Sequence, residues 1–331
     1  MNKSFAAKML EWSPFPAVIL VVVFTVISAV ISPFFLSTSY LPSFIGAYIP
    51  LIILSMGQFV VLVTGGIDIS IGAIMTIVNV VIVHMIGLGV NPFLAFLFGG
   101  IVGVLFGCLN GFIVSVFRVN PMLVTLATTS IASGGALAIM PAPGGSVPVD
   151  YVMWYQKSFA GIPAPAIFVA IVLAVWLIIY FSPLGIRLFA IGENMKMAYV
   201  SAIKVRRVQF SAYVFAGFAA AIAGIAVSGS IGSGSASVGL SLTLNSVAAC
   251  VIGGISLAGG KGSIAGAILG SVFLGLVFNI VISVNMSPFY QSLVSGVIVL
   301  GCIVGTSALT MIREKNNSLK KSKDVSQGGV K

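Results

Sequence analysis

Little in this chain could do polar chemistry. In otherwise apolar surroundings stand Gln58, Asp68, Asn79, His84, Asn110, Asn245 and Asn279. An Asp at the centre of a membrane helix costs about 2.5–3.5 kcal/mol on insertion scales, so a carboxylate kept there is a functional candidate by default. Asp68 also has a structural reading. Gly65 and Gly66 precede it and Ser70 follows it, so it could sit in a break or at a helix start, capping free N–H groups at the positive end of a helix dipole. The Asn residues and His84 read as hydrogen-bonding groups between helices. Gln58, Gly65, Gly66, Asp68, Asn79, Asn110, Asn245 and Asn279 are the candidates for a translocation path or a helix break.

The motifs of soluble enzymes fail in informative ways. Gly260-Lys261 looks like the end of a phosphate-binding loop, but Ile255 stands where the first Gly belongs and Gly262 where Ser or Thr must reach magnesium. Gly232-Ser233-Gly234 lacks the third glycine of a dinucleotide fingerprint, because Ser237 takes its place, and reads as an outer loop. A single histidine cannot build the paired-His zinc site of membrane metalloproteases, nor is there a Ser, His and acid set for nucleophilic catalysis. Cys108, Cys250 and Cys302 lie apart in apolar runs and read as packing residues. The chain is therefore expected to bind no ATP, metal or cofactor of its own and to catalyse no reaction.

The elements that must hold these residues follow from composition. Of 331 residues 59% are hydrophobic and 7% charged, with a mean hydropathy of +1.19, where a soluble chain carries roughly a quarter charged residues. Most of the chain belongs in lipid, which excludes soluble enzymes and nucleic-acid binding. The net charge of +10 must then lie in loops. A span needs about 20 apolar residues. Charge-free intervals, divided at Pro, Gly and Asn turn signals, give ten segments near 15–36, 44–64, 69–87, 92–117, 121–140, 163–182, 208–229, 240–258, 263–285 and 288–311. With the N-terminus inside, Arg118, Lys261, the Arg187–Arg207 cluster and the tail from Arg313 all fall on the cytoplasmic side, leaving Lys157 as the one Lys or Arg outside. The fold expected is an all-α polytopic membrane protein of about ten helices with both termini cytoplasmic. Residues 1–312 form one domain, and the basic tail 313–331 has too little apolar content to fold.

Two ridges of small residues, Gly99, Gly103, Gly107 and Gly111 and then Ala212, Ala216, Ala220, Gly224 and Ser228, suit close helix packing within the chain. Val63-Thr64-Gly65-Gly66-Ile67 is faintly echoed by Ile252-Gly253-Gly254-Ile255, as a duplicated transporter would show. The one sizeable inner loop, about 183–207, carries Met195, Met197, Ala198, Tyr199 and Val200, more apolar surface than a solvated loop needs. After Gly192, Glu193 could start a short helix there. That surface calls for a partner.

At this point the chain resembles the permease subunits of ATP-binding-cassette importers for monosaccharides of the ribose, galactose and xylose type. Thr64-Gly65-Gly66-Ile67-Asp68-Ile69-Ser70-Ile71-Gly72 is similar to the family's T-G-G-I-D-L-S-V-G segment. Asn120-Pro121 with Val124-Thr125-Leu126 is similar to its P-x-x-x-x-T-L helix start. Ala190-Ile191-Gly192-Glu193-Asn194 with Ala198, Ser201 and Ile203 resembles the A-I-G-G-N…A-A…S-G-I loop that docks on the ATPase. Val251 to Ser263 resembles the V-I-G-G-x-S-L-x-G-G-x-G-S signature. The departures are Glu193 for the second glycine, Met197 for the first of the paired alanines, Ala202 for a glycine, and Ile186 for an arginine that appears instead as Arg187; they bear on which ATPase is accepted.

The resemblance implies a type II-like importer permease in a bacterial cytoplasmic (inner) membrane, surrounded by lipid. Its partners would be a second permease copy or paralogue, a separate ATPase that binds ATP and magnesium, and an extracellular or periplasmic sugar-binding protein. Coupling to the ATPase would run through Gly192, Glu193, Asn194, Met197, Ala198 and Ser201. The competing expectation is an ion-coupled secondary transporter that uses Asp68 as its proton or sodium site.

Overall fold

Glycine and proline mark the ends of the apolar runs, and the helices stop where they stand. A computed structural model describes residues 14–285 together with Tyr290, Leu293, Gly296, Val297, Leu300 and Gly301. Its helices are α1 (Phe15–Ile31), α2 (Tyr40–Val63), α3 (Ile71–Gly87), α4 (Pro92–Phe117), α5 (Pro121–Ile139), α6 (Val149–Gln156), α7 (Ala166–Tyr180), α8 (Pro183–Glu193), α9 (Met195–Val200), α10 (Val205–Ile231), α11 (Leu240–Ile252) and α12 (Ile264–Ser283). A small antiparallel hairpin, β1 (Ser158–Phe159) and β2 (Ile162–Pro163), lies between α6 and α7. The chain is an all-α multi-pass membrane protein. By length and apolarity α2, α4, α5, α10 and α12 can each cross a membrane, α7 and α8 together give a sixth span bent by 82°, and α1, α3 and α11 are shorter apolar helices. The expected segment at 288–311 and the 313–331 tail lie almost wholly outside the described residues.

Several boundaries differ from the sequence reading for local reasons. Tyr40-Leu41-Pro42 opens α2 rather than forming a turn before it, because a proline in the first helical turn gives up an N–H that has no partner there anyway. The segment expected at 240–258 stops at Ile252. There Gly254 takes a left-handed φ of +78°, and the N–H of Ile255 reaches back to the Cys250 carbonyl at 3.0 Å, a glycine-dependent helix closure. The same closure ends α2, with Gly65 at φ +81° and the Gly66 N–H on the Val61 carbonyl at 3.2 Å. The echo between the two segments is thus structural, but Gly65 corresponds to Gly254 rather than Gly253. Helix α6 was not anticipated from the sequence.

Helix α10 is central and packs on α4, α2 and α3. The glycine ridge of α4 lies on it: a β-carbon at Gly107 would sit 2.8 Å from the Gly217 Cα, and one at Gly103 3.0 Å from the Ala221 Cα. The Ala212–Ser228 ridge faces elsewhere. Gly57 of α2 leaves a β-carbon only 3.4 Å from the Ala216 Cα, and Gly224 packs on Val78 of α3. Both ridges therefore serve packing within the chain, against different neighbours. At one end of the bundle α6 and the hairpin form a cover, tied down by Tyr155 donating to the Gly46 carbonyl at 2.9 Å and Tyr151 to that of Ile225 at 2.7 Å. The opposite end carries the termini of α2, α4, α8 and α9 and, among the described residues, every Lys and Arg except Lys157.

Candidate functional site

The break between α2 and α3 is held by a continuous polar chain. Gln58, one and a half turns before the end of α2, clamps the backbone of Asp68: with its amide oriented by that pairing, it donates to the Asp68 carbonyl at 3.0 Å and accepts from the Asp68 N–H at 3.2 Å. The Asp68 carboxylate accepts from the N–H of Ser70 at 2.8 Å and from its hydroxyl at 2.6 Å. Asn110 of α4 donates to the Ser70 hydroxyl at 2.8 Å and accepts from Thr128 of α5 at 2.6 Å. Gln58, Asp68, Ser70, Asn110 and Thr128 are all buried, and buried polar groups that satisfy one another hold a unique arrangement. The Asp68 carboxylate is thus turned onto Ser70, the residue that immediately precedes α3. Gly66 is buried beside it and Gly65 is exposed.

The remaining polar candidates lie elsewhere. Asn79 joins α3 to α10 and the loop after it, donating to Ser228 at 2.8 Å and to the Ser233 carbonyl at 3.1 Å and accepting from the Ser235 N–H at 3.0 Å. Asn279 of α12 donates to the Tyr40 hydroxyl at the start of α2 at 2.6 Å. Asn245 is half-buried on α11, and His84 is exposed near the end of α3 rather than set between helices. Cys250 is buried and donates to the Ser55 carbonyl, and Cys108 is half-buried; Cys302 lies outside the described residues. Sequence reasoning missed Thr76 and Thr243, which bind the Gly239 and Gly72 N–H groups and so lock α3 onto the start of α11. Nothing in an apolar run distinguishes a threonine that bonds across helices from one that bonds back to its own.

The inner loop folds as two helices, and the residue that starts the second is Asn194 rather than Glu193. Glu193 ends α8; the Asn194 carboxamide accepts from the Met197 N–H at 3.0 Å, since a short side chain can turn back onto the first free N–H groups where a Glu cannot. Within α9, Ala198 is buried while Met195, Met197, Tyr199 and Val200 are exposed, Val200 at 79%; Ser201 closes the helix, its N–H on the Met197 carbonyl. The uncovered apolar face read from the sequence is thus present, with Ala198 as its inward anchor.

Three segments far apart in sequence meet beside this loop. The Gly260 N–H donates to the carbonyl of Val63 at 2.9 Å. Gly192 lies against both that carbonyl and the Gly260 N, and a β-carbon at Gly259 would sit 3.0 Å from the Gly192 carbonyl oxygen and the Gly65 Cα. Positive φ at Gly65, Gly259, Gly260 and Gly262 lets these backbones touch. The Glu193 carboxylate reaches over Gly260, where a β-carbon would lie 2.7 Å from it. The end of α8 thus touches the end of α2, from which Thr64–Ser70 lead to the start of α3.

Residues 40–303 match the family described as branched-chain amino acid transport system / permease component. The ribose import permease protein RbsC of Bacillus subtilis (strain 168) is 34% identical over 75% of this chain and 78% of its own length. The D-allose transport system permease protein AlsC of Escherichia coli (strain K12) is 30% identical over 92% of this chain and 94% of its own. The autoinducer 2 import system permease protein LsrD of Salmonella paratyphi A is 29% identical over 84% and 86%. No solved structure matches the chain.

Proposed function

We propose, from the premise that this chain belongs to the branched-chain amino acid transport system permease-component family, that it forms the membrane path of an ATP-binding-cassette importer for a monosaccharide. As a permease component it is a transport subunit and not an enzyme. The family description names amino acids, but relatives that align along most of the chain are permeases for ribose and allose, which supports a sugar as cargo. The ion-coupled alternative has no such support, and the Asp68 carboxylate is engaged by the Ser70 N–H and hydroxyl.

In this reading the chain crosses the membrane ten times, counting α1, α3 and α11, the bent α7–α8 unit as one span, and the 288–311 segment. Both termini lie in the cytoplasm of a bacterial inner membrane, and residues 1–312 make one permease domain of type II-like architecture. Cysteines placed at Ser39 and Ser158 would then label from outside and one at Ser201 only after permeabilisation. A second permease copy or paralogue, an ATPase that holds ATP and magnesium, and a sugar-binding protein complete the importer.

The observation that carries this reading is the junction of Val63–Gly66, Gly192–Asn194 and Gly259–Gly262 beneath an uncovered apolar helix. The ATPase would seat on the exposed face of α9, and its ATP-driven closure would move α8, α9 and the α2–α3 break as a rigid body. Uptake in proteoliposomes holding this chain with the ATPase and binding protein encoded beside it tests the proposal. ATP-dependent accumulation of ribose or allose but not leucine is expected. Accumulation by this chain alone, driven by an ion gradient, would overturn it.

A further inference from the structure

A cavity of about 1470 Å³ opens between the end of α4, the start of α5, α9 and the start of α10. Five of the residues in its wall are cations, Arg118, Lys196, Lys204, Arg206 and Arg207, and among the described residues no Asp or Glu lines it. The preference of cytoplasmic loops for Lys and Arg accounts for cations on this side of the membrane. It does not account for their gathering around one space, because Arg187 and Lys261 satisfy the same preference without lining it. Like charges facing a shared cavity repel unless an anion joins them.

Tyr213 supplies a second, independent observation. It belongs to the cavity wall, is 1% exposed, and its hydroxyl has no hydrogen-bond partner among the described residues. A buried hydroxyl left unpaired costs free energy, and this one lies beside Gly66, itself in the wall. It can donate to an anionic oxygen.

The rim adds the third. Phe117, Val119, Met122 and Leu123, around Arg118, are exposed apolar side chains, Phe117 at 64% and Leu123 at 63%, and Val119 also lines the cavity. A ligand that fits both parts carries a phosphate for the cations and hydrocarbon for the rim.

We propose that this cavity is a phosphate-binding site occupied by the head group of an anionic phospholipid from the adjoining leaflet, whose acyl chains lie along the ends of α4 and α5. A water-soluble phosphate ester would satisfy the cations and Tyr213 but leave the apolar rim bare. Because the occupied wall includes Lys196 and Tyr199 of α9, the lipid would brace α9, the helix proposed above to seat the ATPase. The site itself requires neither ATPase nor sugar.

The test is lipid binding to the purified full-length chain in detergent, read by native mass spectrometry with phosphatidylglycerol or phosphatidylcholine as probes. Wild type should prefer phosphatidylglycerol, and the preference should weaken with salt. Each basic residue near an anionic lipid contributes a factor of about five, so the combined Arg118→Gln, Arg206→Gln, Arg207→Gln variant should bind phosphatidylglycerol on the order of a hundredfold more weakly. Arg187→Gln and Lys261→Gln, outside the cavity, should bind as wild type does. Equal affinity for the two lipids, a salt-independent preference, or an equal loss in the two outside variants would overturn the proposal. If the combined variant does not fold, Lys204→Gln and Tyr213→Phe take its place, each expected to weaken phosphatidylglycerol and not phosphatidylcholine, and wild-type affinity in both would overturn it. Competition by inorganic phosphate as effective as that by phosphatidylglycerol would reassign the site to a soluble phosphate ester, and displacement of the lipid by added ATPase would make the cavity a protein-docking groove. Transport is not measured, so a failed sugar uptake assay and a failed lipid site remain separate results.

Discussion

Gly192 lies against the carbonyl oxygen of Val63 with no room between them for a β-carbon. The same carbonyl accepts the Gly260 N–H, so a methyl group at 192 must push apart α8, the end of α2 and the 253–263 loop together. Overpacking of this kind costs about 1–3 kcal/mol. Gly192→Ala is expected to insert normally but lower the melting temperature and the ATP-driven uptake of the assembled importer. Gly100→Ala, where a β-carbon meets nothing within 4 Å, is the matched control and should change neither. Equal melting curves for the two variants would sink the idea that these backbones are in forced contact.

Asp68 separates a cap from a carrier of ions. Asn keeps an oxygen acceptor for the Ser70 N–H, so Asp68→Asn should retain most uptake, with no new dependence on pH. Asp68→Leu removes the acceptor of both Ser70 donors, each buried, at about 1–3 kcal/mol per orphaned group, and should reduce the amount of folded protein recovered from membranes. Uptake lost in the Asn variant at normal expression would instead favour a proton or ion site.

Asn110 links α4 to α5 and to the start of α3, and its loss takes one partner from each neighbour, leaving Ser70 on Asp68 and Thr128 on the Val124 carbonyl. Asn110→Leu is expected to destabilise the chain by more than Thr128→Val, which removes one end of the relay and replaces a hydroxyl by a methyl of similar shape. Thermal unfolding of both in the same detergent checks the order. The reverse order would mean that the relay contributes little and that Thr128 matters through packing.

The apolar runs were legible because charge is scarce: eight of the twelve described helices fall wholly inside a charge-free interval, and only α6, α8, α9 and α10 carry a charged residue. What the sequence hid is where the backbone turns. The closures at Gly65 and Gly254 need a single left-handed residue each, yet each Gly-Gly pair offers two, so matching pair to pair sets the echo one residue out of step. Asn194 and Glu193 are both plausible helix starters by type, and only the reach of the side chain decides between them. The junction of Gly192, Val63 and Gly260 was not readable either, since each glycine is explained locally by a turn until the three are seen in contact. Asp68 and Asn110 were found as candidates because a polar group in an apolar run stands out, but their partners Ser70 and Thr128 do not.

The exposed face of α9 carries the coupling proposal, and the placement of its residues decides which substitution is informative. Ala198 is 4% exposed and faces the chain's own core, so a charge or proline there would disturb the fold of the loop along with any docking. Met197 and Tyr199 are 62% and 71% exposed, Tyr199 at the wall of the cationic cavity and Met197 outside it, and Tyr199→Glu or Met197→Glu adds a charge at an exposed position. In the isolated chain, each should leave insertion and melting temperature within the small range usual for surface changes, about 0.5 kcal/mol. On an ATPase, the same side chain must be buried, and an unpaired buried charge costs several kcal/mol. Both variants are therefore expected to weaken co-purification of the ATPase on the order of a hundredfold, since about 3 kcal/mol corresponds to that factor, and to abolish ATP-driven uptake. Ser158→Glu, exposed on the hairpin at the opposite end, should leave ATPase binding unchanged. If all three variants bind the ATPase as wild type does, α9 is not where the ATPase seats, and the force would have to enter through another part of the same end.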